Sequence, residues 1–486
     1  MIADLKPYPS MKDSGVPWLG RVPEQWEVLP ALATYKPKLV KNTGMVEKTV
    51  LSLSYGRIIV KSPEKLRGLV PESFETYQIV DPGDIIVRTT DLQNDHTSLR
   101  IGHSRNRGII TSAYLCLETT DRVSNEFGYQ FLNTYDLLKI IYGFGSGLRQ
   151  NLDFSDIKRM PVLVPSKDEQ AAIVRFLDHA DRRIRRYILA KQKLIKLLEE
   201  QKQAIIHRAV TRGLPSTSSG QATPNVRLKP SGVEWLGNVP EHWEVWQIGH
   251  FSRVGNGSTP SRGNSAYWSS GHYPWLNSSC ANLENVTHAD QFVTDTALRE
   301  CHLPAVPPAS VLVAITGQGK TRGKATVLRI EATINQHMAF ITPNTKVASA
   351  DYVRLALHGS YAQLRSISDD SGSTKGALTC ADIKHFRLIL PPPPEQSEIL
   401  TAVESETRAC SAAIDRARRE IALLREYRTR LIADVVTGKL DVRAASAKLS
   451  EETDEPEPLD GAEALVEGNE ETEDADLDAV PEEAEA

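Results

Sequence analysis

Cysteine is scarce in this 486-residue chain, and what there is forms no pattern. The five cysteines, Cys116, Cys280, Cys301, Cys380 and Cys410, are scattered, with no C-x-x-C pair and no histidine at zinc-finger spacing. Neither a disulfide framework nor a structural zinc site is expected, and no metal ligand is assigned. Apolar runs are short, and none approaches the ~20 residues needed to span a bilayer. The opening MIADLKPYPS has no charged-then-apolar signal pattern, so the expected compartment is the cytoplasm. Also missing are paired catalytic carboxylates, a G-x-S-x-G elbow, an H-E-x-x-H helix and the [DN]-P-P-[YF] motif of amino-methylating DNA methyltransferases. The proline run at 391–394 ends in Glu395 instead. No catalytic residue is assigned.

Basic side chains are absent from residues 450–486, which carry 17 acidic ones. The formal charge of −5 therefore hides an asymmetry: the other 45 acidic residues stand against all 57 Lys and Arg, a balance of +12. A basic body with an acidic, Pro- and Gly-containing appendage suits a polyanion-binding protein with a disordered tail.

What the sequence does have, it has twice. SGVPWLGRVPEQWEV at 14–28 returns at 231–245 as SGVEWLGNVPEHWEV, differing at three of fifteen positions. A second block, 156–214, aligns without a gap on 382–440, pairing DIK with DIK, Pro165 with Pro391, Glu169-Gln170 with Glu395-Gln396, and Val210-Thr211 with Val436-Thr437. The repeated unit is too long for a solenoid, so it is domain-sized, with a fixed head, a variable middle and a fixed tail.

Within the first unit, short β-rich runs at 50–54, 57–60 and 81–89 precede a polar loop at 91–108, a strand-like ITSAYLCLE, and a short helix over 127–141 that ends in the Gly-rich YGFGSGLRQN. Residues 168–212 contain no Gly or Pro, open on an S-x-x-E capping signal at Ser166 and Glu169, and stop at Gly213. Apolar residues recur there at roughly 3.5-residue spacing, the seam of a coiled coil. The expected seam is Ile173, Leu177, Ile184, Ile188, Ile195, Leu198 and Ile205, matched in a second helix over 394–437 by Ile399, Val403, Ile414, Ile421, Leu424 and Leu431. Two such helices need partners, and each is the other's natural one. The second variable region reads as strands at 311–315 and 326–330 flanking the loop GQGKTRGK, then INQHMAFI at 334–341.

Two motifs invite an enzyme reading. AITGQGKT at 314–321 nearly spells a phosphate-binding loop, but its first glycine is Ala314, and no Walker B strand is placed to hold magnesium. The DIK triplets at 156–158 and 382–384 resemble half a metal-nuclease site. The nearest partner acid, Asp153, is replaced by Thr379 in the second copy. A free-standing nuclease or nucleotide-dependent enzyme is therefore the alternative, and a coiled-coil scaffold without a DNA role is a third reading.

The paired WLG-x-VP-x-x-W heads, the paired DIK to Pro-Glu-Gln to long-helix tails, and the second-unit pieces GSTPSRGN, YPWLN and INQ together resemble one family over about residues 5–445: the DNA-specificity subunit of type I restriction-modification systems. The resemblance implies an α+β fold of two similar globular target-recognition domains joined by two long antiparallel helices, with a disordered acidic tail. The domains would be 1–165 and 231–391, the helices 166–214 and 392–440, the linker 215–230 and the tail 441–486. It implies a non-catalytic reader of a bipartite double-stranded DNA target. That reader would dock two methyltransferase (modification) subunits and be joined by restriction/translocase subunits. This chain would bind no cofactor itself; S-adenosylmethionine, ATP and Mg²⁺ belong to the partners.

The expected DNA contacts are Arg100, Arg105, Arg107 and Arg149 in the first unit, and Gln318, Lys320, Arg322, Lys324, Asn335, Gln336 and Lys375 in the second. Arg and Lys suit phosphates or guanines, whereas Asn and Gln pair bidentately with adenine.

Overall fold

A computed structural model describes residues 5–62, 73–90, 92, 95, 98–144, 152–214, 227–317, 321–369 and 376–449. The chain divides into two compact units, residues 1–191 with 419–472, and residues 192–418 with 473–486.

The first unit is built on an antiparallel sheet in the order Tyr35–Lys38, Leu115–Thr119, Ile85–Val87, Ile101–His103. Its inner strands are apolar on both faces, and Ile85, Ile86 and Leu117 are fully buried, so the sheet is covered on both sides. The expected Asp81 to Asp84 turn enters the third of these strands, with Gly83 at φ +99°. Lys38 ties that turn down through Asp81 at 2.9 Å and Asp84 at 2.7 Å. The variable middle adds a hairpin, Leu51–Ser54 with Arg57–Val60, and a pair, Gln78–Val80 with Gly108–Ile110.

The second unit repeats the plan: Ser252–Asn256, Met338–Pro343, Ser310–Ala314, Ala325–Leu328 and, in parallel, Asn285–Val286. Its own addition is a three-stranded sheet of Gln291–Val293, Tyr273–Leu276 and Thr333–Ile334. The two middles therefore differ in their side sheets, while the central sheet is kept with one added strand in the second unit.

The conserved blocks do matching structural work in both units. Head strand Glu27–Pro30 pairs with Pro161–Val164, and Glu244–Gln247 pairs with Arg387–Leu390. Gln170 Nε2 donates to the carbonyls of Pro165 and Arg122, while its Oε1 accepts from Ser124 N–H at 2.8 Å. Gln396 does the same with Pro391, Val347 and Ser349. Since Ser124 and Ser349 are the N-caps of Asn125–Leu137 and Ala350–Gly359, each glutamine joins the start of a long helix to the start of a domain helix. Glu395 reaches back to the head, accepting from Trp243 Nε1 at 3.0 Å.

Of the head tryptophans, Trp26 and Trp243 are fully buried, whereas Trp18 is 45% exposed and donates to the Tyr135 hydroxyl.

The long helices run Lys167–Arg212 and Pro393–Val436. All thirteen expected seam residues are buried or half-buried; Ile173, Leu177, Ile184, Ile399, Val403, Ile414, Ile421 and Leu431 are the buried ones. Polar residues that interrupt the first seam meet polar partners on the other helix. In the first unit Asp181 pairs with Arg428 at 2.5 Å and Lys191 with Glu420 at 2.6 Å. In the second, Lys202 donates to Ser411 and Glu199 pairs with Arg418, both at 3.0 Å, and Arg208 pairs with Glu406 at 3.5 Å. Rising numbers on one helix meet falling numbers on the other, so the pairing is antiparallel in each unit. Polar seam positions of this kind select one register at some cost in stability.

Each head is covered by the tail of the other copy. Leu431, Val435, Val436 and Val442 pack into the core that holds Val22 and Trp26. Ile206, Val210 and Leu214 pack with Val239 and Trp243. Gly438, at φ +75°, fits where a Cβ would stand 2.4 Å from Pro23 Cδ and 2.9 Å from the Trp26 ring.

Three sequence expectations are corrected in detail. The helix expected over 127–141 is Asn125–Leu137, because Lys139 takes φ +57° and a 3-10 turn follows at Ile140–Gly143. Residues 441–449, expected as the start of a disordered tail, form a packed end with the helix Arg443–Ala447 and Arg175 Nη2 donating to the Leu449 carbonyl at 2.6 Å. The end of the expected linker is a strand, Leu228–Pro230, paired with Asn238–Pro240. Residues 215–226 and 450–486 lie outside the described residues.

Candidate nucleic-acid interface

In the second unit three pieces far apart in sequence meet on one surface. Gly257 lies against the turn after Thr333–Ile334, where a Cβ would stand 1.7 Å from the Ile334 carbonyl oxygen. That approach lets Ser258 N–H donate to Ile334 O at 3.0 Å. Trp275, from the YPWLN strand, donates to Ser258 O at 3.2 Å, and Trp268 donates to Ser261 O at 3.0 Å. GSTPSRGN, YPWLN and INQ are thus one assembly.

Asn335 is buried and serves the turn itself. Its N–H donates to Leu276 O and its Oδ1 accepts from His337 N–H at 3.1 Å, which leaves Gln336 and His337 to face solvent. A chain of hydrogen bonds then crosses the surface: Thr259 Oγ1 to Gln336 Oε1 at 2.5 Å, Gln336 Nε2 to His337 Nε2 at 3.2 Å, and His337 Nδ1 to Thr316 Oγ1 at 2.8 Å. Lys324 Nζ donates to Asn282 Oδ1 at 2.8 Å beside it. An exposed amide set in a fixed network is suited to reading base edges.

The expected contact residues sort into three groups. Gln336, Lys324, Arg105 and Arg107 are at the surface, although Arg107 is already compensated by Asp81 at 2.5 Å and Glu47 at 3.6 Å. Arg149, Gln318, Lys320 and Lys375 lie outside the described residues. Arg100, Arg322 and Asn335 are buried, which corrects the expectation that they touch DNA directly.

The two arginines hold loops together instead. Arg100 immediately precedes strand Ile101–His103. Its Nη1 donates to Thr90 O at 2.7 Å, its Nη2 to Asp95 O at 2.6 Å and its Nε to the Tyr142 hydroxyl at 3.0 Å. Arg322 sits in the corresponding loop before Ala325–Leu328, and its Nη1 donates to Gly376 O at 2.6 Å. Each joins the hairpin loop of the central sheet to the stretch beside a Gly-rich segment. Asp95 stands next to Arg100; burial opposes its charge, but the Ser98 hydrogen bonds and the charges of Arg100 and Arg88 hold its pKa at about 2. Asp136, which accepts from the Arg100 and Ile101 amides, is pushed up by burial.

The acids of the DIK triplets have structural roles. Asp156 and Asp382 complete capping boxes at Phe154–Ile157 and Cys380–His385, accepting from the N–H of Asp153 at 2.9 Å and of Thr379 at 2.8 Å. The loop after Ser310–Ala314 leads into a strand, Ala325–Leu328, and among its described residues there is no helix start of the kind that binds phosphate. Among the described residues no three His, Cys, Asp or Glu side chains come together as a metal site. No described helix is long and apolar enough to cross a membrane.

Sequence reasoning missed Thr259, Thr316, Asn282 and His337. GSTP and INQ are visible as motifs, but their contact across 77 positions is not.

Residues 240–421 match the family described as the type I restriction modification DNA specificity domain. The specificity subunit of the Escherichia coli type I restriction enzyme EcoR124I/EcoR124II is 20% identical over 305 residues, covering 61% of this chain and 67% of the relative. A chain from a solved type I R-M system, studied for complex assembly and conformational transition, superposes with a TM-score of 0.60 at 14% identity, covering 86% of this chain and 99% of that one. The crystal structure of the HsdS subunit from Thermoanaerobacter tengcongensis gives a TM-score of 0.42 at 14% identity, with 88% and 100% covered.

Proposed function

We infer that this chain, whose residues 240–421 match the type I restriction modification DNA specificity domain, is the sequence-reading subunit of such a system. The observation that carries the reading is the duplication: one central sheet occurs twice with unlike loops and side sheets, as two readers of two half-targets require. The exposed line from Thr259 to Thr316 is the reading surface of the second unit. The Arg105 region supplies that of the first.

Finer points extend this reading. The subunit performs no chemistry, and its target is bipartite double-stranded DNA. Two methyltransferase subunits dock on it and carry S-adenosylmethionine, while restriction/translocase subunits bring ATP and Mg²⁺. The complex works in the cytoplasm.

The test is to exchange residues 246–381 for those of a relative and map methylation by the assembled complex. One half of the target should change and the other should persist. Loss of both halves in a soluble, assembled chimera would refute independent readers. Methyl transfer or cleavage by this chain free of partners would refute the non-catalytic role.

A further inference from the structure

Arg262 lies in the GSTPSRGN loop, outside the contact residues expected from sequence. Its guanidinium carbon is 4.0 Å from the centroid of the Trp268 ring and 4.9 Å from that of Trp275. Those rings stand at 82° with centroids 5.3 Å apart, so the cation rests in the corner of an aromatic L. Both walls are fixed: Trp275 is buried and bonded to Ser258 O, and Trp268 is bonded to Ser261 O. On the open side Arg262 Nη2 donates to Gln291 Oε1 at 2.8 Å. A planar cation gripped by two ring faces and one amide has lost most of the rotamer freedom that exposed arginines keep.

Among the described residues Arg262 forms no ion pair, whereas Arg329 is paired with Asp351 and Arg354 with Glu284. Simple surface packing accounts for the stacking but not for an ordered, exposed charge left uncompensated. The loop that carries it is the one bonded through Thr259 to Gln336, so the cation borders the reading surface. A guanidinium has five N–H donors, of which Gln291 takes one.

We propose that Arg262 is a preset clamp for a DNA backbone phosphate, which aligns the duplex on the Thr259 to Thr316 surface. The clamp positions DNA and reads no base. This rests on the DNA-reading role assigned above.

The experiment measures binding of the full chain to two mixed-sequence duplexes of about 30 bp by fluorescence anisotropy, over roughly 50 to 200 mM salt. Arg262→Gln should lower the slope of log affinity against log salt by about 0.9, the loss of one phosphate contact, and weaken binding about tenfold on both duplexes alike. Trp268→Leu, which unseats the cation without removing it, should keep the slope and lose affinity. Lys346→Ala, beyond the far end of strand Met338–Pro343 from His337, should keep both. If Arg262→Gln melts lower than the parent, Arg262→Lys carries the test through retained slope with weaker binding. An unchanged slope in Arg262→Gln, weakening confined to one duplex, or an equal loss in Lys346→Ala would each overturn the clamp. Failure of the parent chain to bind any duplex would instead overturn the DNA-reading role.

Discussion

Replacing Arg100 by Ala separates the two kinds of arginine that sequence alone groups together. The Arg100 side chain has no exposed surface, and three of its nitrogens hold Thr90 O, Asp95 O and the Tyr142 hydroxyl. Truncation removes hydrogen bonds from a charged donor, leaves buried acceptors unpaired and opens a cavity. Removing one partner from such a buried network costs ~3–5 kcal/mol. For a unit of this size ~1 kcal/mol lowers the melting temperature by about 2–4 °C, so a fall of roughly 6–20 °C is expected. Arg105→Ala, at an exposed site, should change stability by less than ~0.5 kcal/mol. Scanning calorimetry of the full chain, with hydrogen exchange at 98–103 to assign the transition, gives the comparison. DNA affinity in Arg105→Ala should fall with a reduced salt slope, whereas in Arg100→Ala it should fall only as the folded fraction falls. A normally melting Arg100→Ala with weakened DNA binding would refute the reasoning and return Arg100 to the interface.

Three further predictions follow from the geometry. Gly257→Ala forces a methyl onto the Ile334 carbonyl and should cost about 1–3 kcal/mol, while Gly263→Ala, whose Cβ meets nothing within 4 Å, should be near neutral; equal melting temperatures would contradict the close approach. The Asp181 and Arg428 pair should show a coupling of ~0.5–1 kcal/mol in a double-mutant cycle read by denaturant melts, and additivity would mean that the seam pair does not set register. His358 is held at about 4 by burial, aided by Arg354, Lys202 and Lys324 against Glu284. Because the folded pKa is depressed below 6.5, its stabilising share is full above that pH and is lost as pH falls toward 4, by ~1–2 kcal/mol after screening. His358→Gln should flatten the melting temperature between pH 7 and 4.5, and an unchanged pH slope would contradict it.

Periodicity and repetition carried most of the architecture. The 3.5-residue spacing from Ile173 to Ile205 and from Ile399 to Leu431 identified both long helices and the residues they bury, because a seam must recur to stay on one face. The DIK acids were assignable to helix starts because the second copy kept the spacing and changed Asp153 to Thr379, which also caps. The reading surface was less legible. Arg100 and Arg322 look like DNA contacts in a basic loop, and only tertiary hydrogen bonds show them turned inward. The chemistry of Gln336 points to base reading, but its partner Thr259 lies 77 positions earlier in the chain. Nothing local in the sequence joins Arg262 to Trp275 either.

The covering of each head by the other copy's tail has a consequence for the order of synthesis. The described core residues of the second unit all lie within 192–418, so that core is available once residue 418 is made. The first unit waits for 419 onward, since Trp26 and Val22 pack on Leu431, Val435 and Val436. The gap of roughly 230 residues takes on the order of 10–50 s at ~5–20 residues per second. The half translated first is therefore completed last, and until then its apolar floor stands open on the ribosome.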